Sequence, residues 1–267
     1  MKRIIEDAMI LARLIVHGIK ILWHVYVYIP MHSKTYKPLR RFKDIHKGQR
    51  CFIVATGPSL TLEDINKLKG EICFGMNSVM KLFNKTDWRP TYYAIYDGGV
   101  YDRIKQDLEN AELKCAFCSD YISWTGKNVH KVGMWGGWRR NSSIERKIFP
   151  DSLQEKQLRI SSDISKYVYS GSSIVHMIMQ ICFYMGFSEI YLIGTDCNFG
   201  GNVKHSSLVN YNAQISESPE YLYYALMRDY QRAKKYADNH GIKIFNATRG
   251  GMLELFERVN IDDIIKG

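Results

Sequence analysis

At 267 residues, with 46% hydrophobic and 24% charged residues, the chain is long enough to bury a full core and too apolar for a disordered tail. Its net charge is +10, but residues 1–50 alone carry +8, from eleven bases against three acids, so the remaining 217 residues are nearly neutral. That distribution argues against a nucleic-acid binder, which carries its basic excess on the folded body, and six scattered cysteines do not form a dense disulfide framework, so a reducing cytoplasm is expected.

From Ile4 to Pro30 the chain is strongly apolar, and Glu6, Arg13, His17, Lys20 and His24 recur along one helical stripe, the pattern of an amphipathic helix. Arg13 and Lys20 interrupt its middle, so the helix is expected to lie in a membrane interface rather than to span it. Trp23, Tyr26 and Tyr28 suit the headgroup boundary, and the basic run from Lys34 to Arg50 suits anionic lipid. The alternative is that this helix packs on the protein's own core or on a partner subunit. Residues 1–49 are therefore read as a basic membrane-associating segment and 50–267 as one domain, placing the protein in the cytoplasm, peripheral on the inner membrane.

The body opens with the apolar run Arg50 to Ala55, the turn Thr56-Gly57-Pro58-Ser59 and a helical stretch from Leu60 to Leu68, which reads as strand, glycine turn, helix. Strands follow at Glu71–Gly75, Thr91–Tyr96 and Lys114–Ser119, with helical stretches ending at Phe83 and covering Val100–Asn110. Tyr121 to Lys166 reads as an irregular aromatic insertion able to cover a pocket. A helix over Ile174–Met185, a strand over Glu189–Ile193, a long polar lid-like loop over Asn198–Pro219, a helix over Glu220–Asn239 and a last strand over Ile242–Asn246 complete the pattern. Strands that each end in a polar turn before a helix predict a parallel α/β sheet. Thr56, Gly57, Ser59, Asn77 and Asp97 then converge on its carboxyl edge, where such sheets hold their ligands.

The Gly57-Pro58-Ser59 turn suits a nucleotide or phosphate, yet it lacks both the G-x-G-x-x-G spacing of dinucleotide folds and the lysine of a P-loop. Ser170-Gly171-Ser172-Ser173 is a second hydroxyl-rich turn, read either as another part of the same site or as an ordinary N-cap. Asp196 ends a strand and His205 lies nine residues on, a carboxylate and an imidazole able to act as a general base or to hold a metal. His176, on an apolar helix, reads as a satisfied core histidine. The Cys115-x-x-Cys118 pair has no partner motif to complete four ligands and reads as buried thiols.

The order of Val54-Ala-Thr-Gly-Pro-Ser-Leu60, Phe74-Gly-Met-Asn77, Tyr96-Asp-Gly98, Tyr169-Ser-Gly-Ser172 and Glu189 to Asp196 resembles the bacterial family 42 sialyltransferases. Ile242 to Gly251 and Phe256-Glu-Arg-Val259 look more like a related group, the flagellin-modifying motility accessory factors and an archaeal hydroxymethylpterin pyrophosphokinase. The resemblance covers roughly residues 50–265. It implies a modified Rossmann-like α/β fold, a variant of the GT-A type, with helices on both faces of a parallel sheet. It also implies a CMP-activated nonulosonic acid as donor and no essential metal. Carried over by position, Thr56, Gly57 and Ser59 match the loop on the CMP phosphate and ribose, Asn77 and Asp97 the donor-site asparagines, and Ser170 and Gly171 the cytidine-side turn. The family's tyrosine pair after Gly-x-Asp is absent, and Asn198 and Lys204 stand at those approximate positions. Where the family has its histidine base this chain has Tyr223 and Tyr224, which leaves His205 as the nearby imidazole.

The resulting expectation is a glycosyltransferase that moves a sugar from a nucleotide-sugar donor to a glycan or lipid-linked acceptor at an anionic membrane surface, in surface polysaccharide or glycoconjugate synthesis. His205 and Asp196 are its catalytic residues, and Ser172, Asn198 and Lys204 join the substrate-binding set. No nucleic-acid partner, metal or other cofactor is expected, and a homo-oligomer is left open. The alternatives are a pterin-type pyrophosphokinase, which would need Mg2+, and a non-catalytic scaffold that keeps the nucleotide fold.

Overall fold

The computed structural model describes residues 22–135, 159–198, 208–209 and 218–265, together with residues 8, 11, 12, 15, 16, 18 and 19. Eight strands form one sheet in the order β10-β9-β8-β1-β2-β3-β4-β5, every neighbouring pair parallel. They are β1 (Arg50–Val54), β2 (Cys73–Met76), β3 (Tyr92–Ile95), β4 (Ala116–Ser119), β5 (Val129–Val132), β8 (Glu189–Ile193), β9 (Lys243–Asn246) and β10 (Glu257–Arg258). Two short strands, β6 (Met134–Trp135) and β7 (Val168–Tyr169), pair separately.

The strands are apolar on both faces because helices cover both. Cys51 and Ile53 of β1, Phe74 of β2, Tyr92 of β3 and Leu192 of β8 point to one face, into a cluster with α3 (Ile174–Met185) and α4 (Pro219–Asn239). Phe52, Val54, Cys73, Tyr93 and Tyr191 point to the other, against α1 (Leu62–Lys67), the turn Asn77–Leu82, α2 (Gly98–Glu109) and α5 (Ile261–Ile264). The period-2 alternation of each strand thus divides one run of hydrophobic sequence between two cores, and the architecture is the Rossmann-like, helix-flanked parallel sheet that the motifs imply.

Two features depart from expectation. Tyr121–Lys166 is not wholly irregular: β5 lies inside it, and its Val129-His-Lys-Val132 pairs with β4 to extend the sheet. Nor does packing break at residue 49. Tyr36, Leu39 and Phe42 are buried in the α3-side cluster, with Phe42 edge-on to Phe117 and His46 stacked on Phe187. The backbone of Asp44 and His46 donates to the last turn of α3 at the amino edge. Among the described residues, no helix is long and apolar enough to cross a membrane.

Candidate functional site

Strand order reverses at β1, whose neighbours are β2 on one side and β8 on the other. Such a switch point leaves a crevice at the carboxyl ends of the two strands, and here Val54 pairs with Ile193 immediately before both chains turn away. The turns that follow are in direct contact. Gly57 N–H donates to Gly194 O at 2.9 Å, and a Cβ on Gly57 would stand 2.0 Å from Asp196 Oδ2 and 2.3 Å from Gly194 O, so no side chain fits there. Ser59 donates to the Asp196 carboxylate from its hydroxyl, at 2.8 Å, and from its backbone N–H, at 3.2 Å.

This geometry occupies the donors of the turn. The Ser59 donors are already spent on a carboxylate, and α1 begins only at Leu62, capped by Thr61. In this structure the turn therefore holds a strand-end acid in place. Burial pushes the Asp196 carboxyl above its ordinary value, while the Ser59 bonds and the charge of Arg258 pull it back. The Gly250-Gly251 turn closes the far side: Met252 N–H donates to Asp196 O at 2.7 Å, and a Cβ on Gly251 would meet that oxygen at 2.6 Å. Arg258 ties this turn down by donating to the carbonyls of Thr248, Gly250 and Gly251.

The second hydroxyl-rich turn lies on the same edge. Ser173 caps α3 by accepting from Val175 N–H, so part of this turn is an ordinary N-cap, as one reading had it. Ser172 N–H instead donates across to Asp229 of α4 at 2.5 Å, and Asp229 pairs with Arg232 at 3.2 Å, both buried. Burial lowers the Arg232 guanidinium to about 10, and the neighbouring charges of Arg228 and Arg159 add to the effect. Gly171 sits on His176, whose ring atoms would meet a Cβ at 2.7–2.8 Å. His176 is buried as expected, but neither ring nitrogen makes a well-formed hydrogen bond, and burial holds its pKa below the ordinary value.

Tyr230 joins the two halves, since its hydroxyl lies between the side chains of Cys197 and Ser173. Tyr96, at the end of β3, donates to Gly171 O at 3.2 Å. Asn77 ends β2 in a left-handed conformation, φ +47°, strained for a residue with a side chain, and its carbonyl accepts from Tyr93. Ser78 beside it donates to Val209 O at 2.5 Å.

The structure thus brings Gly57, Ser59 and Asp196 into contact, and Tyr230 connects Cys197, next to Asp196, with Ser173 of the second turn. Thr56 is buried at the end of β1. Asp97 is exposed and caps α2 by accepting from Val100 N–H, and Asn198 is exposed beyond Asp196. Lys204 and His205 lie outside the described residues, as do Trp138 and most of the expected lid. Sequence reading missed Tyr96, Asp229, Tyr230 and Arg232. The available signal was Asp229 and Arg232, charged residues three apart on the helix face that also carries Leu226 and Ala233. Among the described residues no cluster of three His, Cys, Asp or Glu side chains is assembled, and Cys115 and Cys118 are free thiols in or beside β4.

Among solved structures, the chain is similar to the MAf glycosyltransferase from Magnetospirillum magneticum AMB-1, with 14% identity and a TM-score of 0.54 over 86% of this chain and 38% of that one. It thus spans well under half of that protein's length. The sialyltransferase CstII from Campylobacter jejuni, in complex with cytidine-5'-monophosphate, gives 13% identity and a TM-score of 0.45 over 80% of this chain and 85% of its own. The monofunctional α-2,3-sialyltransferase Cst-I from the same organism gives 16% and 0.41, covering 79% of each chain. No curated protein matches. The family described as 6-hydroxymethylpterin diphosphokinase MptE-like matches residues 28–202, from the tyrosine that starts the packed N-terminal segment to just beyond Asp196. That match covers more than half of the chain, and the protein is a member of the MptE-like family.

Proposed function

We propose that the protein is a nucleotide-dependent transferase, and specifically a glycosyltransferase that takes an acidic sugar from a CMP-linked donor. The observation that carries this reading is the pairing of two hydroxyl-rich turns, Thr56–Ser59 and Ser170–Ser173, on one carboxyl edge, joined through Tyr230 and Cys197. A single turn suits one phosphate, whereas two that meet on one carboxyl edge suit a nucleotide and the group it carries. The fold shared with the MAf glycosyltransferase agrees with it. His205 is proposed as the base that takes the acceptor proton and Asp196 as the group that orients the acceptor.

One observation favours diphosphoryl transfer as the second reading. The Asp196 carboxylate stands at the centre of the site, where it would repel a bare phosphate, and Mg2+ is commonly held by one or two carboxylates together with substrate phosphates. Asp196 is the residue that would hold the ion, and the ion would neutralise charge on the transferred phosphates. The description of the family favours the same reading.

Calorimetric titration of the full chain with CMP, UDP, GDP and ATP, each with Mg2+ and with chelator, separates the two. Selective CMP binding that survives chelation is expected. ATP binding that disappears with chelator would replace glycosyl transfer with the diphosphokinase reading, and silence across the panel would leave a scaffold.

A further inference from the structure

The N-terminal segment joins the body at the edge that carries the site. Tyr28 and Tyr36 both donate to Oδ2 of Asp120, Tyr36 at 2.6 Å, and Asp120 directly follows Ser119, the last residue of β4. Tyr36 also lies against Gly133, just past the end of β5, where a Cβ would meet its ring at 2.9 Å. From there the chain runs along the α3-side face past Phe42 and Phe117 to His46 and enters β1 at the amino edge. The helix upstream of Tyr28 therefore leaves from the carboxyl edge. A short path links its base to the site: Ser119 Oγ donates to Tyr96 O, and Tyr96 Oη donates to Gly171 O.

Among its described residues that helix carries an exposed apolar row. Leu11, Ile15, Ile19, Leu22 and Tyr26 follow one another at intervals of three or four residues, and all are exposed, as is Trp23. Between Ser33 and Lys43 the chain adds five exposed cations, Lys34, Lys37, Arg40, Arg41 and Lys43, with no acid among them. An apolar stripe beside a predominantly positive run is complementary to an anionic bilayer surface.

We propose that this helix docks the protein on an anionic membrane with the carboxyl edge of the sheet, and so the candidate site, turned toward the lipid. An acceptor held in that membrane then presents its reactive group at the site, which selects the lipid-linked class over a free glycan. The choice of acceptor rests on the transferase reading, while the docking geometry does not.

The test uses the full chain on vesicles of phosphatidylglycerol and phosphatidylcholine. Co-flotation is expected, and Leu22→Glu with Tyr26→Glu is expected to reduce it about tenfold without changing the melting temperature, since both side chains are exposed. Orientation is read from fluorophores on Tyr121→Cys, past the end of β4, and on Lys127→Cys, ahead of β5, with nitroxide-headgroup lipids as quencher. Quenching of position 121 well above 127 is expected, whereas equal or reversed quenching overturns the proposal. Concentration-dependent self-association without flotation also overturns it, by assigning the apolar stripe to a second copy. Calorimetry on the same preparation keeps the two ideas apart. Oriented docking without nucleotide binding would remove the transferase reading alone, and nucleotide binding without docking would remove this one alone.

Discussion

Ser59 and Asp196, 137 residues apart in sequence, are joined by a 2.8 Å hydrogen bond that closes the crevice between β1 and β8. The carboxyl it engages titrates above its ordinary 3.8 because it is buried. Between 3.8 and the raised value, the native state keeps a proton that the unfolded chain has released. Stability therefore falls as pH rises through that window and stays lower above it. Asp196→Asn keeps an oxygen for Ser59 and removes the buried charge, so at pH 7 it is expected to raise the melting temperature, by about 2–4 °C per kcal/mol recovered. On the proposed transferase reading, the same change is expected to abolish transfer. A lower melting temperature at pH 7 would show that the carboxylate is a stabilising ion and not a strained functional group.

The glycine beside this pair gives a sharper steric prediction. Gly57→Ala would place a methyl 2.3 Å from the Gly194 carbonyl, a backbone atom that cannot swing aside. Overpacking of this kind costs about 1–3 kcal/mol, and displacement of either turn should also weaken nucleotide binding. Gly98→Ala is the control, because nothing lies within 4 Å of its Cβ position, and it is expected to leave stability within about 0.5 kcal/mol. Equal effects of the two changes in urea denaturation would disprove the close approach.

Much of this arrangement is legible in the sequence. Gly57, Ser59 and Asp196 declare themselves because a strand-end turn needs small and polar residues wherever it stands, and β1, α3 and β8 lie where apolar runs and glycine stops put them. The contact between Ser59 and Asp196 was not legible, since it depends on which strands become neighbours across 137 residues. Tyr230 and Asp229 were hidden for a related reason: on an amphipathic helix, a residue on the buried face is assigned to the core, and only the opposing Ser172 and Cys197 show otherwise. β5 was missed because Val129-His-Lys-Val132 is a four-residue edge strand whose pattern is too short to stand out among aromatic and glycine residues.

Two histidines are expected to make the fold sensitive to mild acid. His130 is lowered to about 4 by burial and the adjacent Arg41, and His176 is lowered by burial. Both are neutral in the folded state where the unfolded chain, with its histidines near 6.5, takes up protons. Stability is thus fully present above about 6.5 and is lost as pH falls toward the folded-state values. Thermal melts between pH 7.5 and 5.5 should show this decline before most carboxylates titrate. His176→Leu should flatten it and, because neither ring nitrogen makes a well-formed hydrogen bond, cost less than about 1 kcal/mol at pH 7.5. An unchanged pH slope in that variant would mean that His176 titrates normally.

The point at which the N-terminal segment begins to pack on the body decides how the protein can be cut. Tyr36, Leu39 and Phe42 are at most 5% exposed, and the loss of one large core side chain costs about 2–5 kcal/mol. Deleting residues 1–49 removes all three, together with the hydroxyl that Tyr36 donates to Asp120 and the backbone bonds from Asp44 and His46 to the end of α3. That loss rivals the whole stability of an ordinary domain, about 5–15 kcal/mol. Deleting residues 1–27 removes the exposed apolar stripe and keeps every one of these contacts. The shorter deletion is therefore expected to give a folded, cooperatively melting protein, and the longer one a chain that aggregates or melts without a transition. Cooperative folding of residues 50–267 alone, seen by calorimetry, would show that residues 36–48 only cover the domain and do not complete its core.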